Sequence, residues 1–343
     1  MARAPAQISV LMAIYNGADF LKTAIESILN QTFTDWTFVI VDDASTDQTK
    51  EILSSYASKE PRIHIIKNET NLGLTKSLNV GLREIKSPYI ARFDADDISL
   101  PNRLQKQYDF MQSNPDIAFC GSNAIIVDAE EKLKFVTSLP ETSAELSAIS
   151  IIQNPFIHPS TMLRKSVLDT FNIDYDESFK TTQDWVLWVE IMSHGKTANI
   201  KEPLIKQRYH PSSISHAKRD IQITNSLRVQ KRYLERFDQT DKWDETFFKK
   251  FNAYFMNDRQ SMIDAGMIRP KFMLEVLHKL HEILKEIPSS GRKIVTRQLV
   301  FRSILLGLVP PIERHWLKLL MILLLRYPAA FLIGVAKILS GKR

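Results

Sequence analysis

Residues 89–97 read YIARFDADD. An apolar run, Tyr89–Phe93, ends on three aspartates within four positions, Asp94, Asp96 and Asp97, and Pro101 follows. A short continuous apolar run closed by a turn reads as a strand covered on both faces. Carboxylates this close repel one another, so the turn is either solvated or faces a cation. An i, i+2 pair at a strand end, as in Asp94 and Asp96, can present both side chains to one crevice. Oxygen-only ligands of this kind suit Mg²⁺ or Mn²⁺, with phosphate and water completing the shell. A bare D-x-D pattern also arises by chance on solvated turns, so its neighbours must decide.

Upstream, strand and helix signals alternate. Ile8–Ile14 is a second continuous apolar run, and Asp19–Asn30 carries Phe20, Ala24, Ile25 and Ile28 at helical spacing. Thr37–Val41 predicts a strand ending on Asp42-Asp43, followed by the capping types Ser45, Thr46 and Asp47. A helix over Thr49–Ala57, a strand over Ile63–Ile66 and a helix over Thr75–Ile85 lead back to Tyr89. Repeated β-α-β order predicts an α/β fold with a mostly parallel central sheet and helices on both faces. Ligands of such sheets bind beyond the carboxyl ends of the strands. Both acidic clusters stand at such ends. Downstream, strands are predicted over 117–127, 133–138, 161–163 and 203–210. Helices are predicted over 141–152 and, amphipathic, over 183–194; NPFIHPS (154–160) reads as a proline-rich loop. The pattern is helical from about 216. The expected division is a domain over 1–215, a helical extension over 216–291 and a tail over 292–343.

The 343 residues, 44% hydrophobic and 24% charged, are ordinary for a globular chain of about two domains. The single cysteine, Cys120, excludes an internal disulfide framework and fits a reducing compartment. Ile8–Ile14 reads as a buried strand rather than a secretory core, since no small-residue cleavage site follows it. The net charge of +6 is concentrated: residues 292–343 hold ten Lys/Arg against one acid, Glu313, so the rest of the chain is acidic overall. A nucleic-acid binder would spread such charge over its binding face, and no nucleic acid is expected as partner. Within the tail, Trp316–Leu325 and Ala329–Leu339 are strongly apolar, divided by Arg326 and Pro328 and flanked by basic residues. Neither run reaches the roughly 20 residues a membrane-spanning helix needs. They suit in-plane insertion at an anionic membrane surface; a buried helical hairpin within the protein or a dimer is the alternative.

Five segments occur in order: SVLMAIYNG (9–17), SILNQTFTDW (27–36), VDDASTDQT (41–49), NLGLTKSLN (71–79) and YIARFDADDISLPNRL (89–104). Together they resemble the family 2 glycosyltransferases of bacterial polysaccharide and lipopolysaccharide synthesis, inverting enzymes of the GT-A fold, over roughly residues 7–215. The resemblance implies that the ends of the first two strands hold the nucleotide of a UDP-linked sugar donor. Ala13, Tyr15, Asn16 and Asp42 would line that pocket, and Asp43 would accept a hydrogen bond from the base. Asp94 would contact the ribose or sugar and share with Asp96 a divalent metal, Mn²⁺ or Mg²⁺, that bridges to the diphosphate. Asp97 is expected to cap the turn that follows, and Lys76 and Arg92 to contact phosphate or sugar. In TQDWVLW (182–188), Asp184 falls where the family places the general base that deprotonates the acceptor hydroxyl; Gln183 departs from the usual acid there. Trp185 either stacks on sugar or fills the core. QRYHPSSIS (207–215) resembles the family's Y-R-x-H stretch with Gln207 in place of Tyr. Arg208 and His210 would meet the diphosphate or metal, and His158 the acceptor.

These expectations make the chain a metal-dependent hexosyltransferase acting on a saccharide or lipid-linked acceptor at the cytoplasmic side of a bacterial plasma membrane, peripheral or monotopic. A nucleotidyltransferase also pairs acids with metal, but its glycine- and lysine-rich phosphate loop is missing. A two-metal nuclease or phosphatase would leave the nucleotide-wall motifs unexplained. A non-catalytic nucleotide-sugar-binding module stays open because of Gln183 and Gln207.

Overall fold

The computed structural model describes residues 5–209 and 219–235. His210 and the 292–343 tail lie outside them, as does the expected helical extension except for its first helix.

β1 (Ile8–Ile14), α1 (Ala18–Leu29), β2 (Trp36–Asp42), α2 (Thr49–Ala57), β3 (Ile63–Lys67), α3 (Leu74–Glu84) and β4 (Tyr89–Arg92) alternate as expected. β5 (Ile98–Ser99), α4 (Arg103–Ser113), β6 (Ile117–Val127), β7 (Leu133–Val136) and α5 (Ser143–Ile149) follow. The described chain is completed by β8 (Met162–Arg164), α6 (Lys165–Phe171), α7 (Gln183–Ile191), β9 (Lys196–Arg208) and α8 (Arg219–Glu235). The sheet runs β3-β2-β1-β4-β8-β6-β9-β5, with β7 paired to β6 off this path. The parallel part is the N-terminal one, where β1 pairs with β2 and β4, and β2 with β3. Beyond β4 only β6 and β9 run parallel. The pairs β4–β8, β6–β8, β6–β7 and β5–β9 are antiparallel, so the sheet as a whole is mixed.

Successive side chains on a strand face opposite sides, and β1 is buried at every position. Ile8, Val10, Met12 and Ile14 join Trp36, Phe38, Ile40, Ala91 and Phe93 in one core with Leu21, Ala24, Ile25 and Ile28 of α1 and Leu104 of α4. On the opposite face α3 lies close. A Cβ on Gly81 would collide with the Leu11 side chain and stand 3.1 Å from Val41 Cγ2, so a glycine is what lets the helix approach β1 and β2.

Two departures have clear causes. The helix α4 has no apolar period because its buried face includes Arg103 and Gln107 beside Leu104 and Met111. The helix α7 is not amphipathic: Gln183, Trp185, Val186, Leu187, Trp188, Val189 and Ile191 are all buried, as in a helix apolar all round. Of the described residues, 5–143, 154–209 and 219–225 form one compact unit that contains the whole sheet; 144–153 and 226–235 belong to a second. Within the second, Tyr233 Oη donates to Ser147 O at 2.6 Å and Gln230 Nε2 to Ile152 O at 3.0 Å.

Candidate active site

The carboxyl ends of β1, β2 and β4 share one edge of the sheet. At the first, Asn16 adopts φ 51°, a left-handed conformation that Asn tolerates. Its Oδ1 accepts from Thr46 N at 2.7 Å, and its own N–H donates to Ser45 Oγ at 3.0 Å. Asp47 Oδ2 accepts from Ala18 N at 3.1 Å, so the loop after β2 caps α1 as well as opening α2. Ala13 is buried in β1 opposite Val41, and Tyr15 is half exposed. Asp42 Oδ1 accepts from Ser45 N at 3.0 Å, while its buried Oδ2 has no hydrogen-bond partner. Asp43 accepts from Asn68 Nδ2, Leu72 N and Gly73 N, each at 2.8 Å. Burial pushes its pKa up, but these donors and Ser77 outweigh burial and hold it below the ordinary value. Asn68 is a wall residue that the sequence reading missed; its only signal was proximity to NLGL. Lys76 is exposed on α3.

At the end of β4 the acids have unequal surroundings. One oxygen from each of Asp94, Asp96 and Asp97 lies within 4.8 Å of the others. Asp97 is buried. It does not cap the next turn: its Oδ1 accepts from Arg208 N at 2.8 Å, on β9, and its Oδ2 has no hydrogen-bond partner. Burial, then Asp96 and Asp94, push Asp97 well above the ordinary carboxylate pKa; burial first and then Asp96 raise Asp94 against the pull of Arg92. Clustered all-oxygen donors with an orphaned buried oxygen fit a hard divalent cation.

The two arginines expected at the diphosphate are both buried. Arg208 donates from Nε to Asp96 O at 2.8 Å, from Nη1 to Ala129 O at 2.9 Å and from Nη2 to Glu131 Oε1 at 3.2 Å, and lies over Phe20. Nε and the backbone N–H tie β9 to the DADD turn, and the two Nη atoms tie it to the segment between β6 and β7, so Arg208 is a positioning residue. Arg92 is 1% exposed, and its Nη1 forms an ion pair with Asp94 Oδ1; its buried Nε has no hydrogen-bond partner. Burial opposes its charge, but Asp94 and then Tyr175 hold it protonated. Arg103 donates to Arg92 O at 2.6 Å and to Gln107 Oε1 at 3.0 Å from beneath, and burial lowers its pKa to about 9.

The charge of Arg92 also reaches the far wall. Asp184 stands in the first turn of α7, just after Thr182, whose φ of 59° is unusual for a β-branched residue. Burial, chiefly, raises the pKa of Asp184, against hydrogen bonds from Trp185 N and Asn154 and the field of Arg92. His158 Nε2 and Tyr175 Oη are 2.7 Å apart. Burial and then Arg92 hold His158 well below its usual pKa, so it is neutral. Tyr175 escaped the sequence reading because no motif surrounds it. Trp185 is 3% exposed and cannot offer a face to a sugar; it belongs to the core, and Gln183 is buried beside it. Asp94 pairs with the guanidinium of Arg92, and Asp184, His158 and Tyr175 lie within its electrostatic reach. The structure removes Arg208 and Trp185 from the list of ligand contacts.

A parallel half-sheet with acidic turns at its carboxyl edge is the arrangement of the GT-A fold. The family profile described as glycosyl transferase family 2 matches residues 9–171. An uncharacterized glycosyltransferase of Methanocaldococcus jannaschii is 36% identical over 213 residues, 59% of this chain and 70% of the relative. The amylovoran biosynthesis glycosyltransferase AmsE of Erwinia amylovora is 32% identical over 206 residues, 58% of this chain and 75% of the relative. The crystal structure of S. aureus TarS 1-349 in complex with UDP superposes with a TM-score of 0.56 at 18% identity, covering 88% of this chain and 86% of that one. The chain belongs to glycosyltransferase family 2.

Proposed function

We propose that the protein transfers a hexose from a UDP-sugar to a hydroxyl of a saccharide or lipid-linked acceptor, with inversion, in the synthesis of a cell-surface glycan. One observation carries this reading. The acidic turn follows β4, whose Arg92 N–H donates to Thr161 O at 3.0 Å, and the loop that leads to Thr161 holds the partly exposed Asp184 of α7 through Asn154. A donor half and a proton-accepting half therefore share one site. Asp43 and the loop it organises hold the base. Asp94, Asp96 and Asp97 would hold Mn²⁺ or Mg²⁺, with His210 as a further candidate ligand, and a cation held there would supply positive charge against the departing diphosphate. A hydroxyl is a poor nucleophile, and Asp184, whose raised pKa improves it as a base, takes its proton as the bond to the anomeric carbon forms. Attack opposite the leaving group inverts that carbon in one displacement, without a carboxylate nucleophile. Neutral His158 and Tyr175 line the acceptor side. The similarity to AmsE supports a polysaccharide product, and the likeness to UDP-bound TarS supports the donor.

A panel from UDP-glucose to UDP-N-acetylhexosamines, with Mn²⁺ and with chelator, tests the reading. Transfer should require the metal, and Asp184→Asn should lower kcat by roughly 10²- to 10⁴-fold. Wild-type turnover in Asp184→Asn would remove the base assignment; turnover indifferent to chelator would remove the metal.

A further inference from the structure

The loop between α5 and β8 holds a group that the proposed mechanism leaves unused. Asn154 Nδ2 donates to Asp184 Oδ2 at 2.6 Å. Its other amide atom is committed, because Oδ1 accepts from Phe156 N at 3.1 Å. That second bond fixes which way the amide faces and leaves the NH₂ to the carboxylate. Phe156 is itself 5% exposed and packs its ring on Phe119 at 4.5 Å and edge-on to Trp188 at 5.9 Å. Trp188 is one helical turn beyond Asp184 on α7. The anchor of the loop and the residue it bonds therefore stand on the same helix, and the distance between donor and carboxylate is fixed by core packing.

We infer that Asn154 is the positioning residue of the base: it occupies Oδ2 of Asp184 so that the other oxygen, Oδ1, is presented to the acceptor hydroxyl. This inference rests on Asp184 being the base. A carboxylate free to rotate presents either oxygen in many orientations, whereas one oxygen tethered at hydrogen-bond distance leaves a single arrangement of the second. The amide also favours the ionised form that a base must have before it accepts a proton. Trp185 N also bonds the carboxylate, and the charged or titratable groups that act on Asp184 include Arg92 from β4 and Tyr175 from the segment between α6 and α7.

The test is a double-mutant cycle read as UDP release from the UDP-sugar panel, together with a substrate-free titration. Asn154→Ala should lower kcat roughly 10- to 100-fold, the worth of one hydrogen bond to a charged group, and leave the donor KM unchanged. Asn154→Asp keeps the acceptor for Phe156 N and should lose as much, which guards against a folding defect in the alanine variant. In an Asp184→Asn background neither change should cost anything further. A ¹³C-carboxyl titration of aspartate-labelled protein, with Asp184→Asn assigning the signal, should show the Asp184 midpoint rising in Asn154→Ala. Equal losses in both backgrounds, or an unmoved midpoint, would overturn the inference. Were Asp184→Asn to turn over at the wild-type rate, the base assignment would fall, while the titration would still decide whether Asn154 holds the carboxylate.

Discussion

Arg92, Asp97 and Arg208 show how far residue identity alone reaches. Each is buried: Arg208 ties β9 to the DADD turn, Arg92 pairs with Asp94, and Asp97 divides its two oxygens between Arg208 N and the acidic cluster. Asp184 is the reverse: its neighbourhood raises its pKa, and that has a consequence for rate. A carboxylate acts as base only when ionised, so kcat/KM should fall as pH drops through its pKa. Because burial raises that pKa, the acid limb should lie above the ordinary aspartate range. A pH–rate profile checks this, and a limb at or below the ordinary value would remove Asp184 as its source. Asp42-Asp43 and the DADD turn were legible as clustered acids on strand ends, since charge and local order are written in sequence. Asn154, Asn68 and Tyr175 were not, because an amide or a phenol carries no pattern until folding puts something opposite it.

At the scale of elements, α7 links the core to the chemistry. Trp188 is fully buried, stacks on Phe119 at 4.5 Å and meets His158 edge-on at 5.8 Å. Trp188→Ala would leave a cavity beneath the helix that carries Asp184, and should cost about 3–5 kcal/mol of stability by denaturant unfolding. A loss under 1 kcal/mol would mean that the cluster does not hold α7. Strands β1 to β4 were readable because parallel strands covered on both faces are continuous apolar runs. The helix α4 was hidden because Arg103 and Gln107 lie on its buried face, where they bond the backbone of β4 and of the His158 loop.

For the molecule as a whole, sequence extends beyond the described fold. No helix among the described residues is long and apolar enough to cross a membrane, and the basic apolar tail lies outside them. We propose that residues 292–343 bring the enzyme to an anionic surface at the cytoplasmic side of a bacterial plasma membrane. Deletion after residue 310 should shift the protein from the membrane to the supernatant fraction on sedimentation with anionic vesicles; unchanged partitioning would refute it. By itself the sequence determined the parallel β-α-β half, the two acidic strand ends and the family, because period, burial and motif order are properties of contiguous residues. Only tertiary structure decided the mixed second half of the sheet, the clamp of Arg208 on the DADD turn and the convergence on Arg92. Each of these joins positions far apart in the chain, and a buried polar side chain takes its meaning from the partner that desolvation obliges it to find.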